Sequence, residues 1–410
     1  MSTRVMQGIR VLEFTQFYVG PYVGEILAYL GAEVIKVESI KRPDTYRLVG
    51  STGGPDPVIF MLTDPNKGVG FNELNLNKLS VTLDLTKPKA VDLAKGIAKL
   101  SDAIVENNRP GVMDRLGLDY DAVREVKPDI IYLSASCRGS TEPERNYAGF
   151  APIFGCLGGL AEITGYADDR PAPPIGGRAD IVCGTANAFA IITALIYREM
   201  TGKGQYIDTS DSEVISCLIG DMFIDYGLNG RLQTRRGNED DIFAPHNCYR
   251  CKGDDDWVSI AISNDDEWRA FVDAIGNPDW TRDDRFADAF SRKKNEAELD
   301  RLISEWTMNL TKYEVMDILQ KAGVAAVPSF STKDLFNDQH LKERQAFNEV
   351  DHPTIGRLAV MNPPWKLSTS PAEVVRHAPL LGEHNQYVFG QLLGMSEKEI
   401  DNLIDEQVIC

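Results

Sequence analysis

The sequence predicts an α/β protein: a large doubly wound, mostly parallel sheet domain accompanied by a smaller α+β module. Three features lead there. A strand–helix–strand unit opens the chain, strand-like and helix-like stretches alternate as far as residue 210, and the composition turns to glycine, charge and proline at 227–247. In the opening unit GIRVLEFT is strand-like. Pro21 then stands in the first turn of a helix whose Val23, Ile26, Leu27 and Leu30 recur at i, i+3, i+4 and i+7; Gly31 stops it, and AEVIKVE is the next strand. Further strands read at LSVTLDL (79–85), DAIVEN (102–107) and DIIYLSAS (129–136), separated by helical KPKAVDLAKGIAKL and DYDAVREV. Sheets of this kind bind ligands at the carboxyl ends of their strands.

An apolar helix follows at about 184–200, with Gly202 and Gly204 as stops, then a strand GQYIDTS and a helix from Asp211. Beyond the linker-like 227–247 come a strand DWVSIAI, a helix NDDEWRAFVDAIG, a charged helical pair over 293–322 and a short strand VAAVPSF. From about 333 the chain returns to loop, strand (RLAVM) and a last helix, where Ser396 and Glu399 have the spacing of a capping box.

With 410 residues and 43% hydrophobic composition the chain is long enough for a substantial core and two domains. Lys plus Arg number 43 against 61 Asp plus Glu, a formal charge of −18, which argues against nucleic acid or an anionic membrane as the partner. Any anionic ligand needs a local basic pocket. No signal-like core opens the chain and no stretch approaches ~20 uninterrupted apolar residues, so a soluble, cytoplasmic protein is expected. The seven cysteines suit reduced thiols. Cys248 and Cys251 form one CxxC near His246, but four zinc ligands are missing, so two free thiols and no metal site are expected. Glu38 ends the second strand where an acid holds a ribose in dinucleotide enzymes. The first turn, TQFYVGPYVG, lacks GxGxxG, which argues against that class.

One carboxylate stands out. Asp180 lies in GGRADIVCG (176–184), among small and apolar residues that solvate it poorly. It reads either as the N-cap of a helix beginning near Gly184 or as a nucleophile. Local sequence leaves both open.

Five segments in order, GIRVLEFTQFYVGPYVGEILAYLGAEVIKVE, NLNKLSVTLDL, ENNRPGVMDRLGLDYD, the Asp180 stretch with TGKGQYIDTS, and APLLGEHN, resemble the family III CoA-transferases, which include formyl-CoA, carnitine and benzylsuccinate CoA-transferases. The resemblance implies a large α/β domain from 1–224 plus 331–410, a small domain at 225–330, and two interlocked subunits. These would form a homodimer or a heteromer with a homologous chain. It implies transfer of CoA from an acyl-CoA thioester, such as succinyl-CoA, to a carboxylic acid through aspartyl anhydride and aspartyl-CoA intermediates. No tightly bound cofactor is implied, since CoA is a substrate. Asp180 matches the family nucleophile. Gln16, Phe17, Tyr18 and Val19 match the loop lining the nucleotide and pantetheine path, Asn107 and Arg115 match CoA contacts, and Arg138 falls where the family often has Lys. Lys41 and Arg42 match less well, because Ser39 replaces the basic residue after the second strand.

Two departures narrow this reading. RRGNEDDIFAPHNCYRC has no counterpart of the glycine-rich loop that shields the intermediate in formyl-CoA transferase, so another segment must supply the protection. The acyl-CoA racemases that share the fold use a His near the sequence corresponding to ERNYAGF; residues 144–150 contain none, which counts against an isomerase. The pattern is most similar to the benzylsuccinate subgroup, whose members act on aromatic or dicarboxylic acids. A non-catalytic CoA-binding subunit of a heteromer is the remaining alternative.

Overall fold

Six strands, β1 (Arg10–Phe14), β2 (Glu33–Glu38), β3 (Leu79–Thr82), β4 (Ala103–Glu106), β5 (Ile131–Ser136) and β6 (Gln205–Ser210), pair in the order β3–β2–β1–β4–β5–β6. All five pairings are parallel. The order reverses between β1 and β4, the point at whose carboxyl ends sheets of this kind form their ligand crevice. The computed structural model describes residues 4–51, 59–61, 64–141, 143–172 and 178–410.

Helices of this part include α1 (Val19–Tyr29), α2 (Thr45–Leu48), α3 (Val69–Leu74), α4 (Pro88–Lys99), α5 (Val112–Leu116), α6 (Arg178–Thr201), α7 (Asp211–Cys217) and α8 (Gly220–Asn229). Val23, Ile26 and Leu27 of α1 join Ile191 and Ala194 of α6 on one face of the sheet. Ala90, Ala94 and Ile97 of α4 join Ile400 and Leu403 of the C-terminal helix on the other. Because both faces are covered, the central strands are buried from end to end and read as continuous apolar runs. Ser396 caps the C-terminal helix and Glu399 reaches back to it, as the spacing predicts.

The apolar helix begins at Arg178 and not near Gly184, so Asp180 is not the N-cap of a later helix but a residue of the first turn. Gly184 is a packing position inside α6. A Cβ there would lie 2.9 Å from the Tyr22 ring and 3.1 Å from the Val19 carbonyl oxygen, so its hydrogen lets α6 press against the start of α1. By length and composition α6 could cross a membrane. Its Ala179, Cys183, Ala188, Ile191 and Ala194 instead pack into the α/β core.

Contact density divides the chain into two units, Met1–Glu162 with Ala172–Gln233 and Glu343–Cys410, and Ile163–Pro171 with Thr234–Lys342. In the second, β7 (His246–Arg250), β8 (Trp257–Ala261) and β9 (Ala325–Pro328) form an antiparallel sheet in the order β9–β8–β7. Helices Asp265–Ala274, Glu296–Thr307 and Lys312–Lys321 bury Trp268, Phe271, Ile303 and Leu319 against one face. Cys251 is buried in this core, whereas Cys248 lies 3.9 Å from Ser329 and is partly exposed. Among the described residues no cluster of His, Cys, Asp or Glu could hold a metal ion.

A buried ionic network fixes the carboxyl ends of β1 and β2. Lys78 donates to both carboxylate oxygens of Glu13 (2.9 and 3.1 Å), to the Pro21 carbonyl (2.6 Å) and to Asn75 Oδ1 (3.0 Å). Lys36 donates to the Thr15 carbonyl (2.8 Å) and pairs with Asp44 (3.2 Å) and Glu13 (3.6 Å). All these side chains are almost fully buried. Gly24 of α1 makes room for them, because a Cβ there would lie 2.0 Å from Glu13 Oε2. Gly→Ala within a helix ordinarily adds about 1 kcal/mol of stability. Gly24→Ala should instead cost about 1–3 kcal/mol in urea unfolding, by overpacking against an immobile carboxylate.

Candidate active site

The loop from Thr15 to Tyr18 leaves β1 at the point where strand order reverses. Asn107, just past β4, ties it down: its Nδ2 donates to the Gln16 carbonyl (2.8 Å) and its Oδ1 accepts from the Gln16 N–H (2.9 Å). Gly20 permits this approach, since a Cβ there would lie within 2.9 Å of both Thr15 and Asn107. Phe17 takes a left-handed backbone conformation (φ 63°) and projects an exposed ring. The side chain of Tyr18 is buried and its hydroxyl donates to Glu73 (3.2 Å). Val19 turns its side chain into the core, leaving only its main chain for a ligand. No side chain caps α1 and no acid occupies its first turn, so free N–H groups face the crevice end of the sheet.

Asp180 is placed close to this loop by the contact of Gly184 with Tyr22 and Val19 one turn further along α6. Only 8% of Asp180 is exposed. Burial lifts its carboxyl to about 7, opposed only by a bond from its own backbone N–H. Asp211, at the start of α7, is buried as well, and its Oδ1 has no hydrogen-bond partner among the described residues. Burial, reinforced by the charge of Asp180, raises Asp211 well above the usual carboxylate range. Two carboxyl groups therefore share one desolvated region. Cys183, three residues along α6 from Asp180, donates its thiol to the Asp211 carbonyl (3.5 Å), and burial pushes it far above the range of a reactive cysteine.

Cations surround the crevice without touching Asp180. Exposed Arg115 lines a cavity of about 540 Å³ with Arg109, Arg145, Tyr120 and Tyr206. Neither Arg109 nor Arg115 has an ion-pair partner among the described residues. Lys41 and Arg42 line a second cavity of about 280 Å³ with Gln16, and Met113 borders both. Lys41 is engaged by Asp84 (2.7 Å). Arg138 donates to Ser212 (3.0 Å) and pairs with Glu144, which holds it beside the Asp211 turn.

The sequence reading passed over Tyr46, Glu73 and Asp211. Tyr46 had a local signal, since Asp44 in PDTYRL stands at an N-cap position and does cap α2. Glu73 and Asp211 carry none, because only folding brings them to Tyr18 and Asp180.

If Asp180 is the nucleophile, kcat/KM for acyl-CoA should fall below a midpoint near pH 7, where protonation removes the attacking carboxylate, and should level off above it. Asp211→Asn should leave the midpoint within about half a unit, because burial of Asp180 itself sets it. A pH–rate series on both proteins measures this.

Residues 6–385 match the model of CoA-transferase family III. The chain is 33% identical over 407 residues to the succinyl-CoA–D-citramalate CoA-transferase of Chloroflexus aurantiacus, covering 99% of this chain and 98% of that one. It is 33% identical to a formyl-CoA:oxalate CoA-transferase of Rhodopseudomonas palustris, over 98% and 96% of the two chains. The crystal structure of a CAIB/BAIF family protein from Brucella suis superimposes with a TM-score of 0.84 at 29% identity, covering 96% of this chain and all of that one. A match over nearly the whole length, on a parallel α/β fold with a buried carboxylate at its crevice, places the chain in CoA-transferase family III, as an enzyme that transfers CoA.

Proposed function

We propose that the enzyme moves CoA from an acyl-CoA, with succinyl-CoA the first donor to try, to a carboxylic acid, and that Asp180 is the nucleophile. The observation that carries this reading is a desolvated carboxyl, poised near neutrality, in the first turn of α6 beside the β1 loop. An Asp180 oxygen attacks the thioester carbonyl; the C–S bond breaks and CoA leaves as the thiolate, giving an acyl–Asp180 anhydride. The thiolate then attacks the Asp180 carbonyl carbon, releasing the donor acid and leaving aspartyl-CoA. An acceptor carboxylate reverses both steps. Loss of water from around Asp180 favours attack and slows hydrolysis of these intermediates.

CoA runs along the crevice on the main chain of Gln16–Val19 and the loop held by Asn107, with Arg115 and Arg138 meeting its phosphates. For the acceptor, relatives named for D-citramalate and, at 29% identity, L-malate favour a dicarboxylic acid. The aromatic rings of Phe17 and Tyr46 suit one bearing an apolar or aryl substituent, such as a benzylsuccinate-like acid. The seven unpaired cysteines fit a reducing cytoplasm.

A second copy, or a homologous chain, covers an apolar face. Phe189 (72% exposed) and Met200 (79%) of α6 and Phe223, Ile224 and Leu228 (79%) of α8 present large side chains to solvent, and α8 buries none of its own. Interlocked subunits would bury it. Light scattering on the purified chain should give twice the chain mass; a stable monomer at micromolar concentration refutes the homodimer.

Asp180→Asn should lower transfer at least about a thousandfold. Wild type incubated with succinyl-CoA and quenched with hydroxylamine should yield a modified peptide containing Asp180. Turnover of a donor with that peptide left unmodified sinks the assignment.

A further inference from the structure

We propose that Tyr46, positioned by Asp44, shields the acyl-enzyme on Asp180 from water. This rests on the nucleophile reading above and supplies the protection that residues 235–251, without a glycine-rich loop, leave unassigned.

Asp44 joins the one-turn helix that carries Tyr46 to the loop that leaves β1. Its Oδ1 accepts from the N–H of Tyr46 (3.0 Å) and from the N–H of Phe17 (3.4 Å), while Oδ2 pairs with buried Lys36 (3.2 Å). A single carboxylate thus fixes both the one-turn helix carrying Tyr46 and the left-handed residue of the β1 loop. The three rings then interlock edge to face: Tyr46 lies 5.5 Å from Tyr18 at 88° and 6.2 Å from Phe17 at 80°. Behind Tyr46 is Gly70, where a Cβ would come within 2.8 Å of the ring, and Gly68, where a Cβ would lie 2.0 Å from the Tyr46 carbonyl oxygen. These two glycines let α3 back the ring closely, so it has little freedom to swing away. Tyr46 packs on Tyr18, and the carbonyl of the next residue, Val19, is the one that α6 approaches at Gly184, one turn past Asp180. The ring and the Asp180 carboxylate therefore belong to the same end of the crevice; burial raises the Tyr46 hydroxyl and the charge of Asp180 adds to it.

The reaction to be suppressed is a leak. Water attacks the Asp180 carbonyl carbon of aspartyl-CoA, the C–S bond breaks, and CoA leaves to take a proton. Asp180 regains its carboxylate with one oxygen from water. The net result is hydrolysis of the donor thioester. A ring over the carbonyl blocks water but leaves the thiolate's own approach open.

Hydrolysis and transfer drain the same intermediate, so at saturating succinate, where acceptor binding does not limit transfer, their ratio reports shielding and is unaffected by loss of folded enzyme. The full-length protein is given succinyl-CoA and isotopically labelled succinate in water enriched in oxygen-18. Exchange of label into succinyl-CoA measures transfer, free thiol measures hydrolysis, and oxygen-18 in the Asp180 peptide locates the attack. Tyr46→Ala should raise the hydrolysis-to-exchange ratio about tenfold or more, equivalent to about 1.4 kcal/mol of lost discrimination. Tyr46→Phe, which keeps the ring, should retain the wild-type ratio, and Asp44→Ala should reproduce the rise with Tyr46 intact. Tyr46→Leu serves where Tyr46→Ala melts early. An unchanged ratio in a folded variant lacking the ring overturns the proposal. Asp180→Asn separates this from the reading beneath it: exchange surviving in that variant refutes the nucleophile, whereas exchange abolished there with an unchanged ratio in Tyr46→Ala refutes the shield alone.

Discussion

The site depends on four charges buried where the sheet meets its crevice. Glu13, Lys36, Lys78 and Asp44 are withdrawn from water, and each is held by partners that the others help to place. Such a network gives little net stability, but removing one member leaves an uncompensated buried charge and costs about 3–5 kcal/mol. It functions as a geometric lock. Lys78 joins the edge strand to α1 through the Pro21 carbonyl, and Lys36 joins β2 to the β1 loop through Thr15. Asp44 carries the same lock out to Phe17 and Tyr46. The crevice therefore inherits the rigidity of the sheet, although its walls are loop and a single helical turn.

The two carboxyl groups behind this wall show how a fold raises carboxyls by burial. Neither Asp180 nor Asp211 has an ion-pair partner among the described residues, so desolvation dominates both. Asp211 is the more deeply buried, and the charge of Asp180 adds to burial in raising it. Cations remain further out, at Arg115 and Arg138, where a polyanionic ligand needs them and where they do not draw Asp180 back to an ordinary carboxylate.

Much of the fold was legible because its signals are local. The period of α1, Pro21 in its first turn, Gly31 at its end and the capping box at Ser396 each reflect backbone chemistry within a few residues. The start of α6 was misread for the same reason. Gly184 has the local character of a boundary, yet it is a contact with α1, and contacts between distant helices leave no mark on neighbouring residues. The CxxC similarly divides, with Cys251 in the core of the smaller unit and Cys248 partly exposed.

By itself the sequence determined the parallel α/β architecture, the membership in a CoA-transferase family and the one carboxylate worth following, because strand periodicity and ordered motifs survive without coordinates. Tertiary structure decided what surrounds that carboxylate. Asp211 lies 31 positions after Asp180 and Tyr46 134 before it, and only the closing of the sheet brings their environments together. Desolvation depends on every atom nearby, whatever its distance along the chain, so the state of Asp180 is a property of the fold.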